Sequence, residues 1–557
     1  MSQIHVTHIK NAILPRFGHL VDLSDVETSS AEQFEKTKLT RCLAAFCIAE
    51  QSGLDDIAAA ACVTDGTGDN GIDALYYDSA EKTCWVVQGK WRGNGQGSIE
   101  LGDMLKYLKG FRELTDAQFE RFNEKVRKQQ GTIFGALSDA NAKFSLVLAY
   151  TGEQPLSTEV EAPLNDLLLE LNSPTEVVST TVLDQAKLHN LVAKGIVGDS
   201  VNLEIMLRQW GIVQEPYISY YGQVAVSDVV LWGKNGPSLT ARNLRQFRGS
   251  TEVNDAISRT LQKNPEHFWY FNNGLTIICD SLKKKMLGGN HNDTGMFECI
   301  GASVVNGAQT VGTIVELGRK GELKDARILV RLISLENCPD GFGDELTRAA
   351  NTQNRIEKRD FAAQDPNQKR LRTELMLENQ KEYAYQAGET APQKELGCTL
   401  DEAAIAMACR LPDVTFAVQV KRELGVIYDD LSKAPYTSIF NERTTAPYLW
   451  ESVVLMRDLE TALREEQEER SGKEQLISIH GNRFILHMVS QQIGNPADGK
   501  AGNADVAAIT KSILSATIVE VANTFSSAYP ANLFKNASKC RELKEAVALE
   551  VAKHKSN

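Results

Sequence analysis

Apolar residues follow helical spacing in some stretches of the first third of the chain and strand spacing in others. Apolar positions three or four residues apart predict a helix from Ala31 to Gly53 and a second over Ile99 to Phe111. Between them, the apolar runs Gly71–Tyr77 and Cys84–Val87 flank a polar turn, which predicts a β-hairpin. The run Phe144–Tyr150 predicts a buried strand. This alternation of helices and strands indicates an α/β domain.

Three polar residues of the hairpin are predicted to share one face. Gln88 and Lys90 are two residues apart on a strand and therefore point the same way, and the simplest register places Asp73 near them. A carboxylate holds a hard divalent cation, an amide oxygen adds a neutral ligand, and an ammonium group stabilises charge that develops at a phosphate. The pattern D-x(n)-Q-x-K taken alone favours an ordinary solvated hairpin, because short motifs match by chance.

The surrounding motifs resemble those of a known nuclease family. Phe34-Glu35, the turn Gly66–Asp73 (GTGDNGID) and Gln88-Gly89-Lys90 occur in this order over the first quarter of the chain. The stretch resembles the Mrr-like branch of the PD-(D/E)XK restriction-endonuclease superfamily, which has Gln in place of the usual acid before x-Lys. The resemblance implies a restriction-endonuclease-like α/β/α domain, Mg²⁺ as cofactor with Mn²⁺ as an alternative, and DNA as substrate.

The same resemblance implies roles for individual residues. Asp73 would be the bridging metal ligand, Gln88 a second ligand and Lys90 the catalytic lysine. Glu35 would be the helix carboxylate that binds metal or orients water, with Glu32 the weaker candidate for that role. Asp69 is expected to be structural, because Asp in a Gly-rich turn often bonds its own backbone.

Amide side chains recur at three turns in the middle of the chain. Asn273-Gly274 is an ordinary turn signal, and Asn306 could simply cap the helix that follows it. Taken together, the three turns predict a shared polar pocket, because buried amides must find partners. The turn at Gly307 also exposes backbone N–H groups that suit a phosphate. The residues predicted to bind a nucleotide or a nucleic-acid backbone are Asn272, Asn273, Asn306, Gln309, Thr310, Asn354 and Arg355.

These turns carry a second resemblance. The segments FNNGLT, VNGAQT and NTQNxIxxxDF, in this order, are similar to those of the AIPR (abortive infection, phage resistance) family. The resemblance covers roughly residue 220 to beyond 372 and implies a role in bacterial defence against phage. It implies no defined chemistry for this part of the chain.

The chain is predicted to divide into three parts. Residues 1–195 would form the nuclease domain with a lead-in segment, and residues 200–375 a mixed α/β AIPR module. Residues 376–557 would be the mainly helical C-terminal part of the AIPR region, because long stretches there have helical spacing.

Composition bears on the expected partners and cellular location of the protein. The net charge of −13 argues against nucleic-acid affinity over the whole surface and leaves room only for a local basic groove. The ten cysteines contain no C-x-x-C pair, which favours free thiols in a reduced cytoplasm and disfavours a zinc site. No apolar run looks long enough to span a bilayer and no signal peptide is evident, so a cytoplasmic protein without a membrane partner is expected.

Two functions fit these observations. The first is a Mg²⁺-dependent endodeoxyribonuclease in anti-phage defence, whose AIPR region senses a trigger, gates access or sets the oligomeric state. A homo-oligomer, in particular a dimer, is expected because cutting both strands at once needs two active sites, and a regulatory ligand or phage trigger would act on it. The second is a non-catalytic nucleic-acid or nucleotide-binding sensor. RNA stays open as a substrate, because the catalytic face does not read the 2′-hydroxyl.

Overall fold

The computed structural model describes residues 2–27, 30–197, 201–233, 239, 252–285, 292–339, 341–352, 358–386, 388–494 and 505–556. The chain folds into two compact units. Unit 1 contains both ends of the chain, residues 1–192 and 356–557, and unit 2 contains residues 193–355. The stretch predicted as a third part, residues 376–557, thus packs into the same unit as the N-terminal segment. The division into three functional domains stays a prediction.

The N-terminal segment alternates helices and strands, as its apolar pattern predicts. Its elements are α1 (Ser2–Phe17), α2 (Ala31–Ser52), α3 (Asp56–Ala61), β1 (Ala74–Asp78), β2 (Thr83–Lys90), α4 (Leu101–Thr115), α5 (Glu124–Lys128), α6 (Gln130–Ser138), β3 (Lys143–Tyr150), α7 (Thr158–Leu171), β4 (Val178–Leu183) and α8 (Gln185–Val197). Helix α2 ends where Gly53 adopts a left-handed conformation, with φ of 76°.

The strands form a sheet with helices on both faces. Their order is β1-β2-β3-β4, with β1 and β2 antiparallel and the remaining neighbours parallel. Trp85 and Val87 pack with α1 and α2 on one face, whereas Val86 packs with α4 and α7 on the other. Because side chains alternate along a strand, Gln88 and Lys90 point to the α4 face. The predicted hairpin and the mixed α/β architecture are confirmed.

Unit 2 is built on a larger mixed sheet. Its elements are β5 (Leu203–Val213), β6 (Ser219–Ala225), α9 (Val226–Trp232), α10 (Glu252–Lys263), α11 (Phe268–Phe271), β7 (Leu275–Cys279), β8 (Ser281–Lys284), β9 (Thr294–Ile300), β10 (Ser303–Asn306), α12 (Ala308–Lys320), β11 (Arg327–Ser334) and α13 (Phe342–Thr352). Within the described residues the strand order is β10-β7-β11-β6-β5-β9-β8, and only β11 and β7 run parallel.

The C-terminal segment of unit 1 is mainly helical, as predicted. Its elements are α14 (Pro366–Asn379), β12 (Glu382–Ala384), β13 (Gly397–Thr399), α15 (Leu400–Arg410), α16 (Thr415–Arg422), α17 (Tyr436–Ile439), α18 (Ala446–Glu468), α19 (Gly472–His480), α20 (Asn482–Ile493), α21 (Val506–Thr524), α22 (Pro530–Leu533) and α23 (Ala537–Ser556). Their buried faces form one large apolar core.

The C-terminal segment also completes the core of the N-terminal segment. Leu476, Tyr529 and Ala531 are buried among the apolar residues of α4, α6 and α7. Polar side chains of the C-terminal segment also contact the N-terminal segment. His480 donates to the carbonyl oxygen of Leu137 at 2.7 Å, and Asn532 donates to that of Leu171 at 2.6 Å. These carbonyls lie at the C-terminal ends of α6 and α7, where a helix has no backbone donors of its own.

Three stretches fold differently from what their local sequence pattern favours. The stretch Tyr217–Trp232 is rich in aromatic and β-branched residues, which favour strand, but β6 gives way to α9 after Ala225. Asn273-Gly274 joins helix α11 to strand β7 and is no hairpin turn. The helical stretch after Glu474 is broken at Gly481, where a Cβ atom would lie 3.0 Å from the ring of Phe534.

One helix departs from the expectation that no apolar run could cross a bilayer. Helix α21 has 19 residues with a mean hydropathy of 1.3, which is enough by length and composition alone. Core helices of globular proteins pass the same test. Ile513, Leu514 and Val521 of α21 belong to the C-terminal core, so this helix packs against its own chain through part of its surface.

The Asn532 contacts predict a measurable stability loss. The Asn532→Ala substitution leaves the carbonyls of Leu171 and Thr175 without their donor, which should lower the free energy of unfolding by about 1–3 kcal/mol. Urea denaturation of the full chain measures this change. The control is Asn141→Ala, which alters an exposed residue and should change stability by less than about 0.5 kcal/mol. Equal stability of the two variants would contradict the role given to Asn532.

His480 predicts a pH dependence. Burial, aided by the charge of Lys421, lowers the pKa of His480 to about 3 from its ordinary value of 6.5. Between these values the unfolded chain binds a proton that the folded chain does not, so stability is present above pH 6.5 and falls as the pH falls, by about 1.4 kcal/mol per pH unit. Between about pH 7 and 5, the denaturation midpoint should fall less steeply with falling pH in His480→Gln than in the unmodified protein. The same slope in both proteins would contradict this assignment.

Candidate cation site on the hairpin of unit 1

A Gly-rich loop precedes β1 and places Asp73 directly before the first residue of this strand. The backbone carbonyl of Asp73 accepts hydrogen bonds from the N–H groups of Thr64 at 2.8 Å and Asp65 at 3.1 Å. Its own N–H donates to the carbonyl of Val87 on β2 at 2.8 Å. The loop closes tightly at Gly71, which has φ of 83° and where a Cβ atom would lie 3.0 Å from the backbone of Tyr107. The loop therefore fixes Asp73 against both the hairpin and α4.

Asp73 lies opposite Gln88 across the hairpin. The register pairs Ala74 with Val87, and one step further pairs Asp73 with Gln88. Oδ2 of Asp73 accepts a 2.6 Å hydrogen bond from the N–H of Gly89. The predicted neighbours Asp73, Gln88 and Lys90 therefore lie together on the part of the hairpin that faces α4.

The loop gathers three carboxylates. Ligand oxygens of Asp65, Asp69 and Asp73 all lie within 4.8 Å of one another. Burial raises the pKa of Asp73 well above its usual value, and the charges of Asp65 and Asp69 raise it further. A cation bound among these carboxylates would offset their mutual repulsion.

Two cations already pair with the outer members of this cluster. Arg41, which is buried, donates from Nε to Oδ2 of Asp65 at 2.8 Å, and Lys106 donates to Oδ1 of Asp69 at 2.8 Å. Asp69 also accepts from the N–H groups of Gly66 and Gly71, which is the structural role expected of it. Asp73 has no such side-chain partner among the described residues.

Gln88 presents an oxygen that nothing in the described chain satisfies. Its Nε2 donates to the carbonyls of Asp103 at 3.2 Å and Gly71 at 3.4 Å. Carbonyls only accept, so these contacts fix which end of the amide carries the N–H groups. Oε1 is buried and has no partner in the described chain. Water cannot supply one from outside, because Gln88 has no solvent-exposed surface. An unpartnered buried acceptor needs a donor or a cation.

Asp103 holds the lysine of the motif as well. Nζ of Lys90 lies 2.9 Å from Oδ1 of Asp103, in the first turn of α4. Asp103 thus contacts Gln88 through its carbonyl and Lys90 through its carboxylate. Sequence reasoning missed Asp65 and Asp103. Their signals were an acid at the start of the same Gly-rich loop and an acid in the first turn of the next predicted helix.

Glu35 lies elsewhere. Its carboxylate is 55% exposed and pairs with Lys10 of α1, and it is not a member of the acid cluster. Helix α2 packs on the face of the sheet opposite to that of Gln88 and Lys90. Glu32 is exposed in the first turn of α2. The structure therefore brings together three of the four predicted catalytic residues and separates Glu35 from them.

The donor set of this site fits a hard divalent cation. Carboxylates and an amide oxygen are the ligands that Mg²⁺, Mn²⁺ and Ca²⁺ take. Oxygens on opposite sides of such an ion are two bond lengths apart, about 4–5 Å, which matches the spacing of the acid cluster. Asp73 and Gln88, the two ligands expected from the sequence, each offer an oxygen without a partner in the described chain and would hold the ion.

The amide-rich turns of unit 2 meet in part. Asn272 donates from Nδ2 to Oγ1 of Thr310 at 3.2 Å, and a Cβ atom at Gly307 would lie 3.0 Å from the carbonyl of Gly274. The N-cap of α12 is Gly307, so Asn306 does not cap it. Gln309 has a buried Oε1 without a partner in the described chain, and Asn273 is exposed. Asn354 and Arg355 lie outside the described residues.

A row of polar side chains crosses the unit 2 sheet beside these turns. Arg331 on β11 is the register partner of Thr276 on β7, which is in turn the partner of Asn306 on β10. Arg331 donates to Oγ1 of Thr276 at 2.9 Å. Thr276 and Arg331 are thus polar neighbours of Asn306 that the amide pattern did not reveal, and the shared pocket stays a prediction.

The fold and the site define a mixed α/β protein with an oxygen-rich site on a hairpin of unit 1. The AIPR family, described as AIPR protein, matches residues 241–548, more than half of the chain. The chain therefore belongs to the AIPR family, which confirms the second resemblance and indicates a role in abortive-infection defence against phage. No curated protein and no solved structure matches the chain. The hairpin site lies outside the matched residues.

The site predicts stabilisation by a divalent cation. Mn²⁺ at one hundred times its dissociation constant should stabilise the full chain by about 2.7 kcal/mol, visible as a rise in melting temperature. The Asp73→Asn substitution should abolish this rise, because the free carboxylate oxygen is replaced by a weaker ligand. Glu81→Gln, an exposed acid in the turn of the same hairpin, is the matched control. A rise that survives in Asp73→Asn would refute the site.

Proposed function

We propose that this AIPR protein is a metal-dependent endonuclease that hydrolyses DNA phosphodiester bonds in abortive-infection defence. The observation that carries the proposal is the unpartnered Oε1 of Gln88 beside the buried carboxylate of Asp73, with Lys90 on the same face. A cation held by Asp73 and Gln88 would polarise a phosphoryl oxygen and offset its charge. The resemblance of this stretch to Mrr-like PD-(D/E)XK nucleases supports the same conclusion, with Mg²⁺ as the expected ion.

Lys90 is the residue that would contact the reacting phosphate. Its side chain is 31% exposed, so a substrate can reach the ammonium group. Asp103 is a positioning residue, since it holds Nζ of Lys90 while its backbone fixes the amide of Gln88. An ammonium group held in place stabilises the charge that develops on phosphate oxygens during attack by water. Helix α4 thus orients both ends of the Gln-x-Lys motif.

Positive charge near the site suits a polyanionic substrate. Lys109 is 74% exposed on α4, and Lys106 is 55% exposed one turn earlier. A few local cations are sufficient to contact phosphates even though the chain as a whole carries a charge of −13. An acidic exterior with a local basic face restricts binding to substrates that fit that face.

The AIPR region would regulate this activity or add a binding surface. The polar row of Arg331, Thr276 and Asn306 favours the alternative function, in which the protein is a non-catalytic sensor of nucleic acid or a nucleotide. An arginine and an amide in one polar row, with Thr276 between them, are suited to contact phosphates and base edges. The proposal also includes a homodimer, which a measurement of molecular mass in solution tests. RNA stays open as a substrate, and cleavage assays with RNA test it.

Cleavage of plasmid and phage DNA by the full chain tests the proposal. With Mg²⁺ or Mn²⁺ present, Lys90→Ala should lower the cleavage rate by about 10²–10³-fold, because one charged donor at the reacting phosphate is lost. Lys433→Ala, which removes an exposed lysine of the C-terminal segment that has no part in the site, should cut like the unmodified protein. Equal cutting by all three proteins would show that the Gln-x-Lys strand is not the active site. DNA binding without cutting by any of them would favour the sensor.

The full chain is needed for this experiment. An isolated fragment of residues 1–195 would be an unregulated nuclease if the AIPR region acts as a gate. The structure shows that such a fragment loses Leu476, Tyr529 and Asn532 from its core and helix ends. An inert fragment would therefore report on its folding as well as on gating.

A further inference from the structure

The acid cluster has one more free oxygen than the predicted ligand set uses. Within the described residues, the hydrogen bond from Arg41 reaches Oδ2 of Asp65 and none reaches Oδ1. Asp73 likewise accepts through Oδ2 alone, from Gly89. Asp69 differs, because its two oxygens serve Gly66, Gly71 and Lys106. The unused oxygens at this loop are therefore those of Asp65 and Asp73.

An independent observation points to a ligand at the same place. Gln88 is fully buried, lies opposite Asp73 and keeps Oε1 without any partner in the described chain. Its amide abuts the loop, since a Cβ atom at Gly71 would lie 3.2 Å from Nε2. The acid cluster has free carboxylate oxygens, and Gln88 has an amide oxygen without a donor. A single divalent cation can bind oxygens of both kinds.

The surroundings of Asp65 are those of a metal ligand held by its neighbours. Arg41 is only 2% exposed and binds Asp65 and Asp25 with separate guanidinium nitrogens. Lys125 adds a contact with the carbonyl of Asp65 at 3.1 Å. Groups of this kind commonly orient a ligating carboxylate, and their contacts leave its second oxygen free.

We propose that Asp65 is a ligand of the divalent cation at the hairpin, together with Asp73 and Gln88, in the place that sequence reasoning gave to Glu35. Glu35 pairs with Lys10 on the other side of the sheet, whereas Asp65 shares the 4.8 Å cluster with Asp73. Asp69 shapes the loop and leaves ligation to its neighbours. The proposal rests on the cation of the proposed nuclease, but cation affinity and DNA cleavage are measured separately.

Mn²⁺ titration of the full chain, with the free ion followed by its electron paramagnetic resonance signal, tests this ligand set. Asp65→Asn keeps an oxygen for Arg41 but loses the charge, and should weaken Mn²⁺ binding at least about tenfold. Glu35→Gln should leave Mn²⁺ affinity unchanged. Asp25→Asn is the matched control, because it removes the other acid of Arg41 without touching the cation. Asp65→Glu, which keeps the charge but moves the oxygens, should also weaken binding, and it serves if Asp65→Asn does not fold.

Other results of this titration would overturn the assignment of Asp65 or the proposed nuclease activity. Unchanged affinity in both Asp65 variants would overturn the proposal, and so would weaker binding in Glu35→Gln. Equal losses in Asp65→Asn and Asp25→Asn would assign the effect to Arg41 instead of ligation, and would also overturn it. Failure of the unmodified chain to bind Mn²⁺ would remove both this ligand set and the cation of the proposed function. Binding that depends on Asp65 in a protein that cuts no DNA would keep the ligand set and reject the nuclease.

Discussion

The carbonyl groups that end two helices of the N-terminal segment find their hydrogen-bond donors in the C-terminal segment. His480 and Tyr529 both donate to Leu137 at the end of α6, and Asn532 donates to Leu171 at the end of α7. Unpaired carbonyls in a buried setting would each cost about 1–3 kcal/mol. Because α6 and α7 cover the sheet face that carries Gln88, the geometry of the hairpin depends on residues roughly 390–440 positions further along the chain.

The same contacts connect to the candidate site through α4. Lys473, at the start of α19, lies 2.8 Å from a carboxylate oxygen of Asp116, which follows the last turn of α4. The first turn of α4 carries Asp103, and Tyr107 in its middle donates to the carbonyl of Val86 on β2. The helix is therefore fixed at its end by the C-terminal segment and along its length by the sheet. This rigidity is what a site needs if one residue is to orient both Gln88 and Lys90.

Local sequence signals predicted much of this arrangement. Strand alternation and a polar turn revealed the hairpin, and its register followed from the turn, so Asp73, Gln88 and Lys90 could be placed together from the sequence. Asp65 and Asp103 could not. The position of Asp65 depends on the path of a loop in which Gly71 packs against Tyr107, and that of Asp103 depends on how α4 packs on the sheet. Glu35 was misplaced for a related reason: its position along α2 was clear, but which face of the sheet that helix covers depends on tertiary packing. The joining of the two chain ends in unit 1 left no local signal at all.

Protein synthesis proceeds from the N-terminus, and unit 1 combines a stretch that is made before unit 2 with one that is made after it. The hairpin leaves the ribosome early, whereas Tyr529 and Asn532, which complete its core, follow only after all of unit 2. At about 5–20 residues per second, the interval is roughly 20–90 s. During that time the N-terminal segment lacks part of its core, so the hairpin matures only after the rest of the protein exists. A chain released prematurely would leave the cell with the motif but without the structure that supports it.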